Sequence, residues 1–392
     1  MNKNNLSPWP NFSDEEADAV RDVIISNKVN YWTGQTGREF ERDFAAWVNS
    51  SRAIALANGT LALDLALKCL DIGLGDEVIV TPRTFIASVS SVINAGATPI
   101  FADVDFDSGN ISAQTISAVI TKKTKAIIPV HLGGWPCDMD AIMDIADAHD
   151  CFVIEDCAQA HGGKIGDRAV GSIGIVGAWS FCQDKIMTTG GEGGMVTTND
   201  EELWNQMWSY KDHGKSWDAV YNREHPPGFR WVHESFGTNW RMLEMQAAIG
   251  RIQIKKMDEW TALRTRNARA LQTVLKAFPD IVRTPDPGPG FTHAYYRQYA
   301  YIKREGLRSG WTRDRIIEDI VAQGYPAFQG SCSEVYLEKA FDGTGWRPEQ
   351  RLPVAKELGE TSMMFLTHPS ITEAQLEGYC SVVRQSLEKA AR

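Results

Sequence analysis

Short, uninterrupted apolar segments alternate with amphipathic ones from residue 52 onward, and this alternation most limits the folds open to the chain. Apolar runs of about four to eight residues are typical of strands buried on both faces, and the segments between them have a helical period. Strands are predicted in seven segments, which read "RAIALAN", "DEVIVTP", "TPIFADVD", "KAIIPVHLGG", "CFVIEDCAQ", "VGAWSF" and "GGMVTTN". The pattern therefore predicts an α/β fold with a mostly parallel seven-stranded sheet between two layers of helices.

A Pro/Gly-rich segment, "RTPDPGPGFTH", separates this region from a C-terminal part that reads as strand, helix and helix. At the other end, Ser13 followed by Glu16 matches a capping box and predicts an N-terminal helix. We therefore expect a large domain over residues 1–260, which includes an N-terminal helical segment. A smaller α+β domain is expected over residues 261–392.

Composition excludes several classes of protein. The net charge is -10 and the basic residues are scattered, which argues against a nucleic-acid binder. Seven cysteines without a C-x-x-C pair favour free thiols over a disulfide scaffold or a zinc site. The first residues lack the apolar core of a signal peptide, and no run reaches the roughly 18 apolar residues of a membrane span. The chain is predicted to be soluble and cytoplasmic, with no metal and no membrane partner.

The turn after the first predicted strand, Asn58-Gly59-Thr60, opens a helix. In parallel α/β sheets, ligands bind at the carboxyl ends of the strands. Glycine lets the backbone approach a ligand, and a helix N-terminus favours an anion, so this turn suits a phosphate group. A simple helix-capping turn explains the same three residues equally well.

Two other strand ends carry side chains with possible chemical roles. Phe85 follows the second strand and either faces a ligand or packs in the core. Glu155 and Asp156 end the strand that begins at Cys151, and an acidic pair there is hard to bury without a partner. An exposed strand end or a helix cap is the plainer interpretation. Gln159 and His161 follow within the same loop.

Lys185 lies between an apolar run and a glycine-dense turn in the segment "WSFCQDKIMTTGGEGGMVTTND". A lysine held out of water has a lowered pKa and becomes a nucleophile toward carbonyl groups. An amine, a nearby acid, a phosphate-binding turn and an aromatic ring are together what pyridoxal 5'-phosphate (PLP) requires of a protein. A nicotinamide-dependent dehydrogenase is disfavoured, because the G-x-G-x-x-G fingerprint is missing.

Four segments, "ANGTLALDLAL", "VIEDCAQAHG", "SFCQDKIMTTGGEGGMVTTND" and "GTNWRMLEMQAAIG", closely resemble the DegT/DnrJ/EryC1/StrS sugar aminotransferases. The resemblance implies the PLP-dependent transferase fold of type I, with residues 1–260 as the PLP-binding domain. It also implies a homodimer with shared active sites, in which Lys185 is the Schiff-base lysine and Asp156 is the partner of the pyridinium nitrogen. The other cofactor-binding positions implied are Gly59, Thr60, Phe85, Gln159, Ser180 and, reaching the phosphate of the other subunit, Asn239. One departure is the doubled glycine, Gly190-Gly191, which lengthens the turn after Lys185.

The same resemblance implies transfer of an amino group, most simply from L-glutamate, to a keto or aldehydo sugar of a bacterial cell-surface polysaccharide. The long loop over residues 215–234 favours the branch that forms 8-amino-3,8-dideoxy-manno-octulosonate for lipopolysaccharide. An acidic acceptor needs cations, and the loop offers Lys215, Arg223, His225 and Arg230, although a solvated loop explains them too. Arg241 and His161 are further candidate substrate contacts, with structural roles as the alternative. A nucleotide-linked 4-keto or 3-keto hexose is the alternative acceptor, and a PLP-binding regulator without turnover is a more remote one.

Overall fold

A seven-stranded sheet forms the centre of the computed structural model, which describes residues 5–392. Its first five strands in chain order are β1 (Arg52–Leu56), β2 (Glu77–Val80), β3 (Thr98–Phe101), β4 (Thr124–Ile128) and β5 (Phe152–Asp156). A short hairpin follows, made of β6 (Lys164–Ile165) and β7 (Arg168–Ala169), and the chain then returns to the sheet as β8 (Val176–Ser180) and β9 (Gly194–Thr198).

The strand order in the sheet is β1-β9-β8-β5-β4-β2-β3. The neighbours from β8 to β3 pair in parallel, and β9 runs antiparallel to both β1 and β8. The predicted mostly parallel, seven-stranded sheet is therefore confirmed. Successive residues of one strand enter different cores, since Val78 and Val80 pack in one apolar cluster and Ile79 in another. This alternation explains why the strand has no polar face.

Nine helices belong to the part of the described chain before the Pro/Gly-rich segment. They are α1 (Asp14–Ile25), α2 (Thr36–Val48), α3 (Gly59–Cys69), α4 (Ala87–Asn94), α5 (Ala113–Ser117), α6 (Met139–Ala148), α7 (Glu201–Lys211), α8 (Trp217–Tyr221) and α9 (Glu244–Lys276). The predicted N-terminal helix is present as α1, and the Glu16 carboxylate accepts a hydrogen bond of 2.7 Å from the Ser13 backbone N–H. This contact satisfies a donor that the helix itself leaves unpaired.

The C-terminal part contains a second, antiparallel sheet in the order β10-β12-β13. Its elements are β10 (Val282–Arg283), β11 (Phe291–Thr292), β12 (Arg297–Ile302), α10 (Arg313–Ala322), α11 (Pro353–Thr361), β13 (Ser362–Leu366) and α12 (Glu373–Ala390), with β11 paired to β6 rather than to this sheet. A separate apolar cluster lies under this sheet, and α9 enters it through Leu271, Val274 and Leu275.

Helix α9 is continuous across the predicted domain boundary at residue 260. Its first half contacts the helices of the large sheet and its last turns join the C-terminal core. The division at 260/261 stays a prediction. Among residues 5–392, every helix is too short or too polar to pass through a lipid bilayer.

Candidate active site

The carboxyl ends of neighbouring strands bring several predicted residues to one edge of the large sheet. Asp156 is the last residue of β5 and Ser180 is the last residue of β8. Phe85 lies in the loop between β2 and α4. Because β2, β4, β5 and β8 are parallel, these ends open on the same side, where α/β sheets bind their ligands.

The turn at the start of α3 forms a close-fitting cradle against β8. A Cβ atom added to Gly59 would lie 2.6 Å from the Ser180 Cβ, and one added to Gly194 would lie 2.2 Å from the Asn58 carbonyl oxygen. Asn58 caps the helix with its side chain, and Thr60 stands in the first turn, where backbone N–H groups lack helical partners. Glycine is therefore required for the approach of α3 to β8, and the exposed N–H groups suit a phosphate.

Asp156 is a buried acid held in a fixed orientation. Its Oδ2 accepts a hydrogen bond of 2.8 Å from the Ser88 hydroxyl, and its Oδ1 accepts one of 3.1 Å from the Ala158 backbone N–H. The Ser88 hydroxyl is in turn 2.7 Å from that of Thr84. Each carboxylate oxygen has a second lone pair available, so the group can accept a further proton donor such as a ring N–H.

Gln159 and Phe85 have the properties expected of residues beside a planar ring. The Gln159 Oε1 accepts a hydrogen bond of 2.8 Å from the Gly133 backbone N–H, which directs the amide nitrogen the other way as a donor. Phe85 is 70% exposed. The alternative in which Phe85 packs in the core is therefore wrong, and its ring is free to cover a ligand.

Lys185 lies in the turn between β8 and β9 with its side chain only 17% exposed. Its Nζ is 3.9 Å from Asp184 Oδ1 and 5.5 Å from the centroid of the Tyr296 ring. The Trp9 indole N–H donates a hydrogen bond of 2.8 Å to the Lys185 carbonyl oxygen, which fixes the backbone of the turn. The amine is thus shielded by neighbours without being enclosed in the core.

The additional glycine after Lys185 is accommodated by an unusual backbone conformation. Gly190 and Gly191 have φ angles of 87° and 123°, a region that residues with a Cβ rarely adopt. Gly191 forms a bridge with Cys182, so the longer turn still closes next to the end of β8.

Two residues of this region, Tyr296 and Arg297, escape sequence-based reasoning. The Tyr296 hydroxyl hydrogen-bonds to the Asp184 carboxylate, and the Arg297 Nη2 is 3.6 Å from the same group. Burial raises the pKa of Asp184, but Lys185, Tyr296 and Arg297 outweigh it and keep that pKa below its ordinary value. Asp184 adjoins Lys185 in the sequence and could have been noticed, whereas no local pattern marks Tyr296 or Arg297.

His161 is a core residue. It packs against the rings of Trp179 and Phe181, with centroid separations of 5.2 and 5.6 Å. Burial, reinforced by the positive charges of Lys185 and Arg264, lowers the pKa of His161 to about 3. The structure therefore favours the structural role for this neutral imidazole over a substrate contact.

Glu155 faces away from the site, although it precedes Asp156. Its carboxylate accepts hydrogen bonds of 2.8 Å from the backbone N–H groups of Gly171 and Ile173, and lies 3.1 Å from the His131 ring. The side chains of His131, Glu155 and Cys157 bring three potential metal-ligating groups within 4.8 Å of one another. Because the carboxylate already binds backbone donors, the cluster holds the fold together rather than presenting ligands.

Asn239 is exposed on a segment that is fixed at both ends. The segment bridges to Asp212, whose Oδ1 accepts a hydrogen bond of 2.7 Å from the Arg241 guanidinium. The Ala57 backbone N–H donates to the Trp240 carbonyl oxygen at 3.0 Å, immediately before the phosphate-suited turn. Arg241 therefore has a structural partner, and the role of Asn239 toward another subunit stays a prediction.

The cations of the loop over residues 215–234 contact partners inside the loop or, for Lys215, just before it. The pairs are Arg223 with Asp218 (2.9 Å) and Glu234 (2.7 Å), Lys215 with Asp212 (3.2 Å), His225 with the Ala219 carbonyl (2.5 Å) and Arg230 with the Val220 carbonyl (2.6 Å). The expectation that they await an acidic acceptor gains no support, because each already has a partner within this chain.

Comparison with known proteins agrees with this geometry. The model of the DegT/DnrJ/EryC1/StrS aminotransferase family matches residues 10–384. A GDP-perosamine synthase from Caulobacter vibrioides is 37% identical over 374 residues, which are 94% of this chain and 95% of that protein.

Two solved structures extend the comparison to the fold. An aminotransferase from Psychrobacter cryohalolentis is 60% identical, with a TM-score of 0.97 over 98% of this chain and 99% of that one. DesV from S. venezuelae, in complex with a ketimine intermediate, is 31% identical, with a TM-score of 0.83 over 95% of this chain and 94% of that one.

Proposed function

The chain belongs to the DegT/DnrJ/EryC1/StrS aminotransferase family, and we propose that it transfers the amino group of L-glutamate to the keto carbon of a nucleotide-linked hexose. It is an aminotransferase, and enzymes of this family depend on PLP. One observation carries the residue assignment. Shielded Lys185 lies at the same sheet edge as the Gly59–Ser180 cradle and the buried Asp156.

The residues present fit this cofactor. Gly59 and Gly194 allow the start of α3 to pack closely against β8 and β9, and the helix N-terminus held there suits an anion. Asp156 offers a buried acceptor to a protonated ring nitrogen, and Phe85 offers an exposed aromatic face. We assign Gly59, Thr60 and Ser180 to the phosphate, Gln159 to the ring oxygen and Asn239 to the phosphate of a second subunit.

PLP supplies an electron sink for a carbanion at the substrate carbon. Lys185 provides the amine that holds the cofactor, and its Nζ then moves the proton at the reacting carbon. Asp156 keeps the ring nitrogen protonated, and Ser88 keeps the Asp156 carboxylate in place through its 2.8 Å hydrogen bond. The Lys185 side chain is only 17% exposed and its Nζ lies 5.5 Å from the centroid of the Tyr296 ring, so water has limited access to the amine.

A nucleotide-linked acceptor has better support than the ketodeoxyoctulosonate. The relative from Caulobacter vibrioides is named for a GDP-linked amino sugar, and it aligns over 94% of this chain. The octulosonate hypothesis rested on the resemblance of the chain as a whole and on the long loop over residues 215–234 with its cations. Arg223 and Arg230 have partners inside that loop, and Lys215 pairs with Asp212 just before it. We therefore retain the nucleotide-linked hexose, for a cell-surface polysaccharide made in the cytoplasm.

A homodimer is part of the proposal. Three aromatic side chains close to Asn239 in the sequence are exposed to solvent in the single chain: Phe229 is 74% exposed, Trp231 is 82% exposed and Phe236 is 100% exposed. Exposed aromatic groups next to a polar segment are typical of an interface. A second copy would cover them and bring Asn239 to its cofactor.

The test is amination of two candidate acceptors by the PLP-loaded protein with L-glutamate. A nucleotide-linked 4-keto hexose should be aminated, and an 8-oxo octulosonate should not, with product measured by mass spectrometry. Amination of the octulosonate alone would reverse the choice of acceptor. The absence of any visible PLP absorbance in the purified protein would contradict the proposal as a whole.

A further inference from the structure

Three donors converge on the carboxylate of Asp184, one from the adjacent Lys185 and two from the consecutive residues Tyr296 and Arg297. Lys185 Nζ lies 3.9 Å from Oδ1, Arg297 Nη2 lies 3.6 Å from Oδ2, and the Tyr296 hydroxyl forms a hydrogen bond with Oδ2. Asp184 itself is exposed, with 57% of its side chain accessible. A carboxylate thus lies next to the amine that we assign to the chemistry.

Arg297 is the most constrained of these donors. It begins β12, its side chain is 11% exposed, and its guanidinium lies 3.9 Å from the centroid of the Tyr296 ring. Its Nη1 donates to the Tyr296 carbonyl oxygen at 2.9 Å, so the planar group is held on one side. The contact with Asp184 is longer than a hydrogen bond, which leaves the donor capacity of Nη2 largely unused.

The neighbourhood carries more positive than negative charge. Arg264 is fully buried, and its Nε and Nη2 have no hydrogen-bond partner within residues 5–392. Burial and the nearby charge of Arg297 lower the pKa of Arg264 to about 9, and burial lowers the pKa of neighbouring His368 to about 3. Asp184 faces two cations, Lys185 and Arg297, and buried Arg264 adds a third positive charge beside Arg297, so an anionic ligand would balance the local charge.

An α-amino acid that reacts at the position of Lys185 Nζ brings its own carboxylate, because the carboxylate carbon is two bonds from the amino nitrogen. Asp184 holds a carboxylate near that place in the protein without substrate. We propose that Arg297 binds the α-carboxylate of the amino donor, which replaces Asp184 as the partner of its Nη2. This inference rests on the proposed function, since it takes Lys185 to be the reacting amine.

Binding of a non-reacting carboxylate tests the inference without turnover. Calorimetry of glutarate on the PLP-loaded protein should give a dissociation constant about tenfold or more higher in Arg297→Gln, and a smaller rise in Arg297→Lys. Arg304→Gln is the matched control, because Arg304 is an exposed arginine of the same C-terminal part, paired with Glu360 at 2.9 Å. Unchanged glutarate binding in Arg297→Gln would overturn the inference.

Donor analogues identify which carboxylate is bound. L-glutamine keeps the α-carboxylate of glutamate, whereas the α-amide of glutamate lacks it. The wild type should convert the first much faster than the second at low donor concentration, and Arg297→Gln should lose this preference while its visible PLP absorbance stays normal. A preference that persists in Arg297→Gln contradicts the inference alone, whereas a wild type without PLP absorbance contradicts the proposed function.

Discussion

Lys185 and Lys211 are both shielded and both adjoin an aspartate in the sequence, but we assign the chemistry to Lys185 alone. Lys211, at the end of α7, is fully buried and its Nζ lies 3.5 Å from the centroid of the Tyr31 ring. Burial lowers the pKa of Lys211 to about 8, although Glu41 and Asp212 oppose this. Lys185 keeps 17% of its side chain accessible and adjoins the cradle at the sheet edge. A lowered pKa alone does not make Lys211 a candidate, because its amine is enclosed, and we assign the chemistry to Lys185 for its access and its neighbours.

The largest expected effect concerns the accessible lysine. Lys185→Ala should remove the visible PLP absorbance and lower turnover by about 10²–10⁴-fold or more, because the proton-transfer group is lost. The exposed Lys255→Ala is the control and should retain both. Full turnover in Lys185→Ala, measured with glutamate and a keto sugar, would transfer the chemistry to another residue.

The buried lysine should affect stability instead. Lys211→Met leaves the buried Glu41 carboxylate without its neighbouring cation, so the free energy of unfolding should fall by about 3–5 kcal/mol. The double variant Lys211→Met/Glu41→Gln should recover much of this loss, because neither side chain is then charged. Denaturant unfolding measures the change, and the folded Lys211→Met protein should keep its visible absorbance. If Lys211→Met lost this absorbance without losing stability, Lys211 would have a role at the cofactor site, and the contrast with Lys185 would be wrong.

The smallest effect is a dependence of stability on pH. The pKa of Lys211 is lowered from its ordinary value of 10.5 to about 8, so the unfolded chain binds more protons than the folded chain between these values. Stability should therefore rise as the pH increases from about 8 to about 10, as this penalty disappears. The quantity to compare is the free energy of unfolding of wild type minus that of Lys211→Met at each pH, because other groups titrate in the same range. Parallel curves for the two proteins would show that Lys211 does not titrate there.

The site residues that could be predicted from the sequence are those whose positions follow from local sequence patterns. Continuous apolar runs define the strands, and the topology of parallel sheets then collects Asp156, Ser180 and the Gly59 turn at one edge. Tyr296 could not be found this way, because it meets Asp184 across 112 residues of sequence. Its position depends on how β12 packs beside the large sheet.

The loop over residues 215–234 shows the opposite error. Residue types alone suggested free cations, but Arg223 has acidic partners five residues before it and eleven residues after it. Charge composition predicts that a loop carries cations, whereas only the structure decides whether they are neutralised. Phe85 is a similar case, since nothing in its local sequence distinguishes an exposed ring from a core one.

The hydrogen bond from Ala57 to Trp240 has a mechanical consequence. It joins the last residue before the Asn58–Gly59 turn to the neighbour of Asn239, and a bridge between Leu56 and Arg241 pairs the same two segments. A displacement of the segment around Asn239 would therefore also shift the residues that lead into α3. Under the assignments proposed above, binding of the cofactor phosphate at Gly59 and binding of a second subunit at Asn239 would then be coupled.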